Sequence, residues 1–209
     1  MPLIHQSIQP LMCQLAVWEI TEGVTELRSC LALNLEQENE LNLRQTENGK
    51  KGYLAVRKAL TTLGPDLQEL IISPEGAPEL SQNYCSFSHT QHYAVAVVGQ
   101  QSIGVDIEVH RPKIERIVKK FVHKEEEGHL LKTSPVAWLT RLWTAKEAIY
   151  KAMRQPGLSL AEEIVVDPFT LSDKEGTATV FIQGNSHKLH LQFFTFDQHQ
   201  LTIAQPIQT

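Results

Sequence analysis

The sequence predicts an α+β protein in which each half offers a long helix and several strands. Three observations lead there. A chain of 209 residues permits either one large domain or two of about 100 residues, each able to bury a core without disulfide or metal staples. A long helical period occurs in each half, at Leu54 to Leu63 and at Val136 to Tyr150, and strand-like runs accompany both. The two helices also echo one another, Ala55-Val56-Arg57-Lys58-Ala59-Leu60 resembling Ala148-Ile149-Tyr150-Lys151-Ala152-Met153 in pattern, as a duplication would leave them. The halves are residues 1–101 and 102–209.

The elements follow in order. Val17 to Ile20 ends an early strand, Thr25 to about Leu35 forms a helix, and the charged stretch Glu36 to Glu47 begins another. From Gly52 the apolar spacing Leu54, Val56, Ala59, Leu60, Leu63 has helical period until Gly64-Pro65 stops it. Ser73 to Pro78 is a loop by its breakers. Tyr84–Phe87, Tyr93–Val98 and Ile103–Ile107 read as a β-meander with turns at Ser88-His89 and Val98-Gly99-Gln100. Ile114, Ile117, Val118 and Phe121 predict an amphipathic helix with a basic outer face, and Pro135 to Met153 a longer one ended by Pro156-Gly157. Glu163–Val166, Thr177–Gln183, Lys188–Phe196 and Leu201–Ala204 complete the set as strands.

Composition narrows the class. With 42% hydrophobic and 21% charged residues, extended disorder, collagen and mini-protein scaffolds are excluded. A net charge of −5 argues against duplex DNA or a membrane surface as partner through global positive charge. Met1 to Gln6 lacks the basic and apolar regions of a secretory leader, and no stretch nears the roughly 18 apolar residues of a membrane span; the expectation is a cytoplasmic protein. Cys13, Cys30 and Cys85 form no CxxC pair and are expected as buried thiols.

Three short segments carry chemistry. Gly104-Val105-Asp106-Ile107-Glu108 puts two carboxylates on one face of an otherwise apolar strand. Either they are solvated acids of an edge strand or they hold a hard cation, Mg²⁺ or Mn²⁺, since oxygen-only ligands disfavour zinc. Trp143-Thr144-Ala145-Lys146-Glu147-Ala148-Ile149-Tyr150-Lys151 places Glu147 and Lys151 on one helix face, as a surface ion pair or as a third metal carboxylate with a phosphate-binding lysine. Ser86-Phe87-Ser88-His89-Thr90 sets hydroxyls around a histidine. Zinc with Cys85 and His92 is disfavoured, because residues three apart on a strand face opposite ways; a phosphate contact agrees better with the other two segments.

Taken in order and at these separations, Phe87-Ser88-His89-Thr90, Gly104-Val105-Asp106-Ile107-Glu108 and Trp143 to Ala148 with Lys151 resemble the 4′-phosphopantetheinyl transferases of the surfactin-synthetase-activating type. The resemblance covers Lys51 to Leu158. It implies a pseudo-dimer of two similar α+β halves, each with a long helix against a small, mainly antiparallel sheet, with the active site at their interface. The activity implied is that of a holo-acyl-carrier-protein synthase, moving phosphopantetheine from coenzyme A to a serine of an apo acyl or peptidyl carrier protein and releasing 3′,5′-ADP. By matched position, Asp106, Glu108 and Glu147 are expected to hold Mg²⁺, Lys151 to contact the attacked phosphate, and Glu147 to take the serine proton. Ser88 and His89 are expected at the pyrophosphate or 3′-phosphate, with Arg57 and Lys51, and less directly Lys50, serving the coenzyme A end.

Gly76-Ala77-Pro78 stands where this family commonly has Gly-Lys-Pro, so a lysine expected near the 3′-phosphate is missing. Ser86 likewise replaces the usual Asn, and Arg154 to Leu158 a shorter Gly-rich link. Arg111 to Lys124 carries six Lys or Arg against one Glu, as a solvated face or as the docking surface for an acidic carrier protein. A monomer is expected, with no nucleic-acid or membrane partner. Alternatives from other classes are a Mg²⁺-dependent phosphohydrolase of coenzyme A or a nucleotide, and a coenzyme A-binding protein without turnover.

Overall fold

The computed structural model describes residues 3–8, 12–129 and 135–207. Met1 and Pro2 of the hexapeptide read above lie outside them. The chain forms two compact units, Met1–Gln100 and Gln101–Thr209.

The first unit contains strands β1 (Leu3–Ile8) and β2 (Cys13–Glu19), helices α1 (Val24–Ser29), α2 (Leu35–Leu43) and α3 (Glu47–Thr62), and strands β3 (Ile71–Ile72), β4 (Pro78–Glu79), β5 (Tyr84–His89) and β6 (Tyr93–Gly99). Its antiparallel sheet has the order β1-β2-β6-β5-β4-β3. The Thr46 hydroxyl caps α3 by accepting the Gly49 N–H, and the helix buries Leu54, Ala55, Ala59 and Leu60 on Ala16, Ala94 and Ala96 of the sheet. Alanines on the strands let the helix come close.

The helix expected over Thr25 to Leu35 stops at Ser29, because a new one starts beyond it. Asn34 and Gln37 exchange side-chain to backbone hydrogen bonds, a capping box that begins α2 at Leu35. Cys30 ends α1 and is exposed, contrary to the expectation for all three thiols; Cys13 and Cys85 are buried.

The second unit runs through β7 (Gly104–Val109), 3₁₀ helices at Pro112–Lys120 and Lys124–His129, α4 (Pro135–Met153), and strands β8 (Ile164–Val166), β9 (Glu175–Ile182), β10 (Asn185–Phe196) and β11 (His199–Pro206). The sheet order is β7-β11-β10-β9-β8, all neighbours antiparallel. Against it α4 buries Trp138, Leu142, Ala145 and Ile149 on Val180, Leu189, Leu191 and Phe193.

The expected meander is corrected at its third strand. β5 and β6 pair, but the other edge of β6 takes β2, and β7 pairs with β11 nearly 100 residues later. Gly99-Gln100 ends the first unit instead of making a hairpin. Ser88 and His89, expected in a turn, are the last two residues of β5. The helix expected from Ile114 forms as a tighter 3₁₀ helix whose Ile114, Ile117 and Val118 are half-buried against the core. Among the described residues no helix is long and apolar enough to cross a membrane.

Gly104 explains how close α4 lies to β7. A Cβ there would come within 1.9 Å of the Ala148 carbonyl oxygen and 2.6 Å of the Ala152 nitrogen. Only a residue without a side chain allows this approach.

Candidate active site

Strand alternation sends Asp106 and Glu108 to the same face of β7, and cross-strand partners show which face that is. Asp106 stands opposite Thr202 and Glu108 opposite Gln200 on β11. Thr202 Oγ1 lies 2.9 Å from Thr144 Oγ1 of α4, and Gln200 Oε1 accepts from Arg141 Nε at 2.9 Å. The acids therefore face α4. Arg141, Thr144, Glu147 and Lys151 recur at steps of three and four, which places them along one side of the helix.

The result is a polar seam through an otherwise apolar contact. At one end Lys151 Nζ donates to Asp106 Oδ1 at 2.7 Å and to the Val105 carbonyl at 2.9 Å. At the other end the buried Arg141 guanidinium also donates to the Thr170 and Asp173 carbonyls and to Thr195 Oγ1, while Gln200 Nε2 sits 3.0 Å from His110 Nε2. Burial lowers Arg141 to a pKa of about 10, against the opposing pull of the Asp173 carboxylate.

The acids between these ends carry strained charge. Burial, followed by repulsion from Asp106, pushes Glu108 up to about 7, with Arg111 and Lys151 pulling the other way. Glu147 is raised by the same two causes and opposed by Lys151. The structure thus brings Asp106, Glu108, Glu147 and Lys151 into one electrostatic group.

The donor set is carboxylate oxygen only, which suits a hard divalent cation, and the repulsion that raises Glu108 and Glu147 is what such a charge relieves. By chemistry the residues fit Mg²⁺ or Mn²⁺. Among the described residues, no three His, Cys, Asp or Glu side chains close around a single point, and the Lys151 ammonium brings a positive charge to Asp106.

Beside Glu108 lies a groove of about 400 Å³ between the Pro112–Lys120 helix and α4. Ile114, Ile117 and Trp143 line it with apolar surface, and Arg111, Lys113 and Arg116 with charge. Phe121 meets the Trp143 ring edge-on at 5.2 Å and fixes that wall.

The remaining expected residues belong to the first unit. Lys51 forms an i, i+4 ion pair with Glu47 at 3.4 Å. Ser88 is half-buried and His89 exposed, with the His89 ring across Gly52 of α3: a Cβ at Gly52 would meet His89 Cδ2 at 2.0 Å. Arg57 is an interior residue, 2% exposed. Its guanidinium stacks 3.4 Å from the Tyr53 ring centroid and donates to the Tyr53 carbonyl and to Glu40, tying α3 to α2. Burial lowers it to about 10.

Arg141, Thr144, Gln200, Thr202 and His110 escaped the sequence reading. The clue on α4 was present: Arg141, Thr144 and Glu147 interrupt an apolar helix at intervals of three. Nothing in the sequence ties Gln200 and Thr202 to them before β7 and β11 pair.

Residues 102–204 match the family model of the 4′-phosphopantetheinyl transferase superfamily. The chain is also 33% identical over 86 residues to the 4′-phosphopantetheinyl transferase Sfp of Bacillus subtilis (strain 168), a match covering 40% of this chain and 38% of that protein. The 4′-phosphopantetheinyl transferase ffp of Bacillus subtilis matches with the same identity and coverage. The matched stretch is therefore well under half of each relative's length. Through residues 102–204 the chain belongs to the 4′-phosphopantetheinyl transferase superfamily.

Proposed function

We propose that this protein transfers the 4′-phosphopantetheine arm of coenzyme A to a serine hydroxyl of an apo acyl or peptidyl carrier protein, acting as a cytoplasmic monomer of the holo-acyl-carrier-protein synthase kind. The observation that carries this reading is the group Asp106, Glu108, Glu147 and Lys151, assembled between β7 and α4 inside the stretch that matches the superfamily. One buried and two half-buried acids beside one lysine are costly for a resting protein and suited to phosphate chemistry. The names of the two Bacillus relatives agree with it.

Mg²⁺ would be held by Asp106, Glu108 and Glu147, where it would neutralise charge on the pyrophosphate. Lys151, released from Asp106, offers its ammonium to the phosphate under attack. Glu147, with its raised pKa, suits the role of proton acceptor for the serine hydroxyl. The serine oxygen forms the new bond to the β-phosphorus in line with the leaving group, its proton passes to Glu147, and the pyrophosphate bond breaks to release 3′,5′-ADP. Lys51, Ser88 and His89 serve the nucleotide end in this reading, while Arg57 acts from the interior by holding α3 to α2. The carrier protein meets Arg111 to Lys124, where cations line an apolar groove.

The test incubates purified protein with coenzyme A, Mg²⁺ and an apo-carrier, and follows the carrier's mass. A gain of one phosphopantetheine that disappears in Asp106→Ala is the expected result. Cleavage of coenzyme A without carrier would assign a hydrolase, and binding without turnover a coenzyme A-binding protein; either would overturn the transferase reading.

A further inference from the structure

Lys146 immediately precedes Glu147 yet serves a different purpose. It is completely buried, and its ammonium donates to the Leu160 carbonyl at 2.9 Å, the Ile164 carbonyl at 2.8 Å and Glu126 Oε2 at 2.8 Å. Glu126, 3% exposed, accepts the Val166 N–H on Oε1 at 2.8 Å and the His123 N–H on Oε2 at 2.7 Å. One ion pair thus joins α4, the Lys124–His129 turn, the loop before β8, and β8 itself. Neither residue touches the seam of acids described above.

Buried ion pairs are inefficient stabilisers, because desolvation offsets most of their attraction and apolar replacements of similar volume are often tolerated. Their best-attested use is to specify one arrangement among several. The neighbouring segment is one that needs specifying. Pro112–Lys120 is a nine-residue 3₁₀ helix with no fully buried side chain, far longer than the three or four residues such helices usually sustain. It is held before its first turn by β7 and after its last by Phe121, Val122 and then Glu126.

We propose that Lys146 and Glu126 are a positioning pair, which fixes the basic segment Arg111–Lys124 on α4 in the arrangement that an acidic carrier protein recognises. This rests on the carrier reading given above. The pair acts through the segment and not on the reacting atoms, so its removal separates carrier recognition from coenzyme A handling.

The decisive variant is the double replacement Lys146→Met with Glu126→Leu, which leaves no lone buried charge. The expected outcome is a folded protein in which backbone amides of residues 112–129 exchange at least tenfold faster, KM for the carrier rises at least tenfold, and KM for coenzyme A stays within twofold. Unchanged exchange over 112–129, or equal changes in both KM values, would overturn the proposal. Should the double variant not fold, hydrogen exchange of the wild-type protein decides: amides of 118–126 and Val166 are expected to open as one unit, and opening of 118–122 a hundredfold more often than Val166 refutes the lock. Lys119→Glu with Lys120→Glu tests the carrier reading separately. If that variant leaves carrier KM unchanged, the carrier reading fails, and the exchange data alone judge the lock.

Discussion

The ammonium of Lys151 stands 2.7 Å from Asp106 Oδ1 and 2.9 Å from the Val105 carbonyl, so a cation from α4 caps the first acid of β7. Lys151→Met removes this positive charge from Asp106 while keeping much of the side-chain volume. Stability should fall by about 1–3 kcal/mol, the usual cost of losing a charged hydrogen bond at a buried partner, and transfer activity by about 100-fold or more. Thermal melts and single-turnover assays of the same preparation measure the two effects separately.

Gly104→Ala places a methyl group against the backbone of α4 at Ala148 and Ala152. Backbone in mid-helix cannot turn aside as a side chain can. The expected cost is at the upper end of the 1–3 kcal/mol typical of overpacking, or beyond it, with a melting temperature lower by about 2–4 °C per kcal/mol. A melt indistinguishable from wild type would show that α4 does not lie this close.

Gly52→Ala is the contrasting case, because the obstacle there is the His89 ring and not backbone. The whole His89 side chain must shift, which a side chain can do and helix backbone cannot, so the cost should be smaller than that of Gly104→Ala and within the roughly 1–3 kcal/mol typical of overpacking. If His89 serves the nucleotide end, KM for coenzyme A rises several-fold with kcat little altered, and initial-rate kinetics reveal the split.

Glu108 gives the protein a pH signature. Its carboxyl is raised from 4.5 to about 7 by burial and then by Asp106, so between those values the folded state binds more protons than the unfolded one. Stability must then decline as pH rises through this window. Glu108→Gln removes that part of the decline: without divalent cation, the variant should melt higher than wild type at pH 8, and the gap should close by pH 5. Some slope remains from Glu147, which is raised in the same direction. Equal melting temperatures at pH 8 would contradict the burial assigned to Glu108.

Charge reversal at Lys119 and Lys120 addresses the partner surface. Both are exposed, so Glu at these positions should leave the melting temperature within about 2 °C. KM for an acidic carrier should rise far more than KM for coenzyme A, and the difference should shrink at high salt as screening removes the repulsion. Equal effects on both substrates would remove this segment from the carrier interface.

Local signals were read directly from the sequence. The α4 helix spans Pro135–Met153 as its periodicity and breakers indicated, and the pairing of Asp106 with Glu108 on one face follows from strand geometry alone. The short cap at Asn34, the 3₁₀ winding of Pro112–Lys120 and the exposure of Cys30 were not legible, because each depends on small differences in local hydrogen bonding.

What the sequence determined by itself was the class of element, the acid spacing on β7, and the combination of motifs that resembles one transferase family. Which strands pair was decided by tertiary structure. Tyr93–Gly99 and Gly104–Val109 are neighbours in the chain, yet they enter different sheets, because each finds its partner among residues far away. That choice sets Gln200 and Thr202 opposite Glu108 and Asp106, brings Arg141 and Thr144 to them, and lets Gly104 draw α4 close enough for Lys151 to reach Asp106. Periodicity reports which way a side chain points from its own element, and only long-range pairing supplies what it meets there.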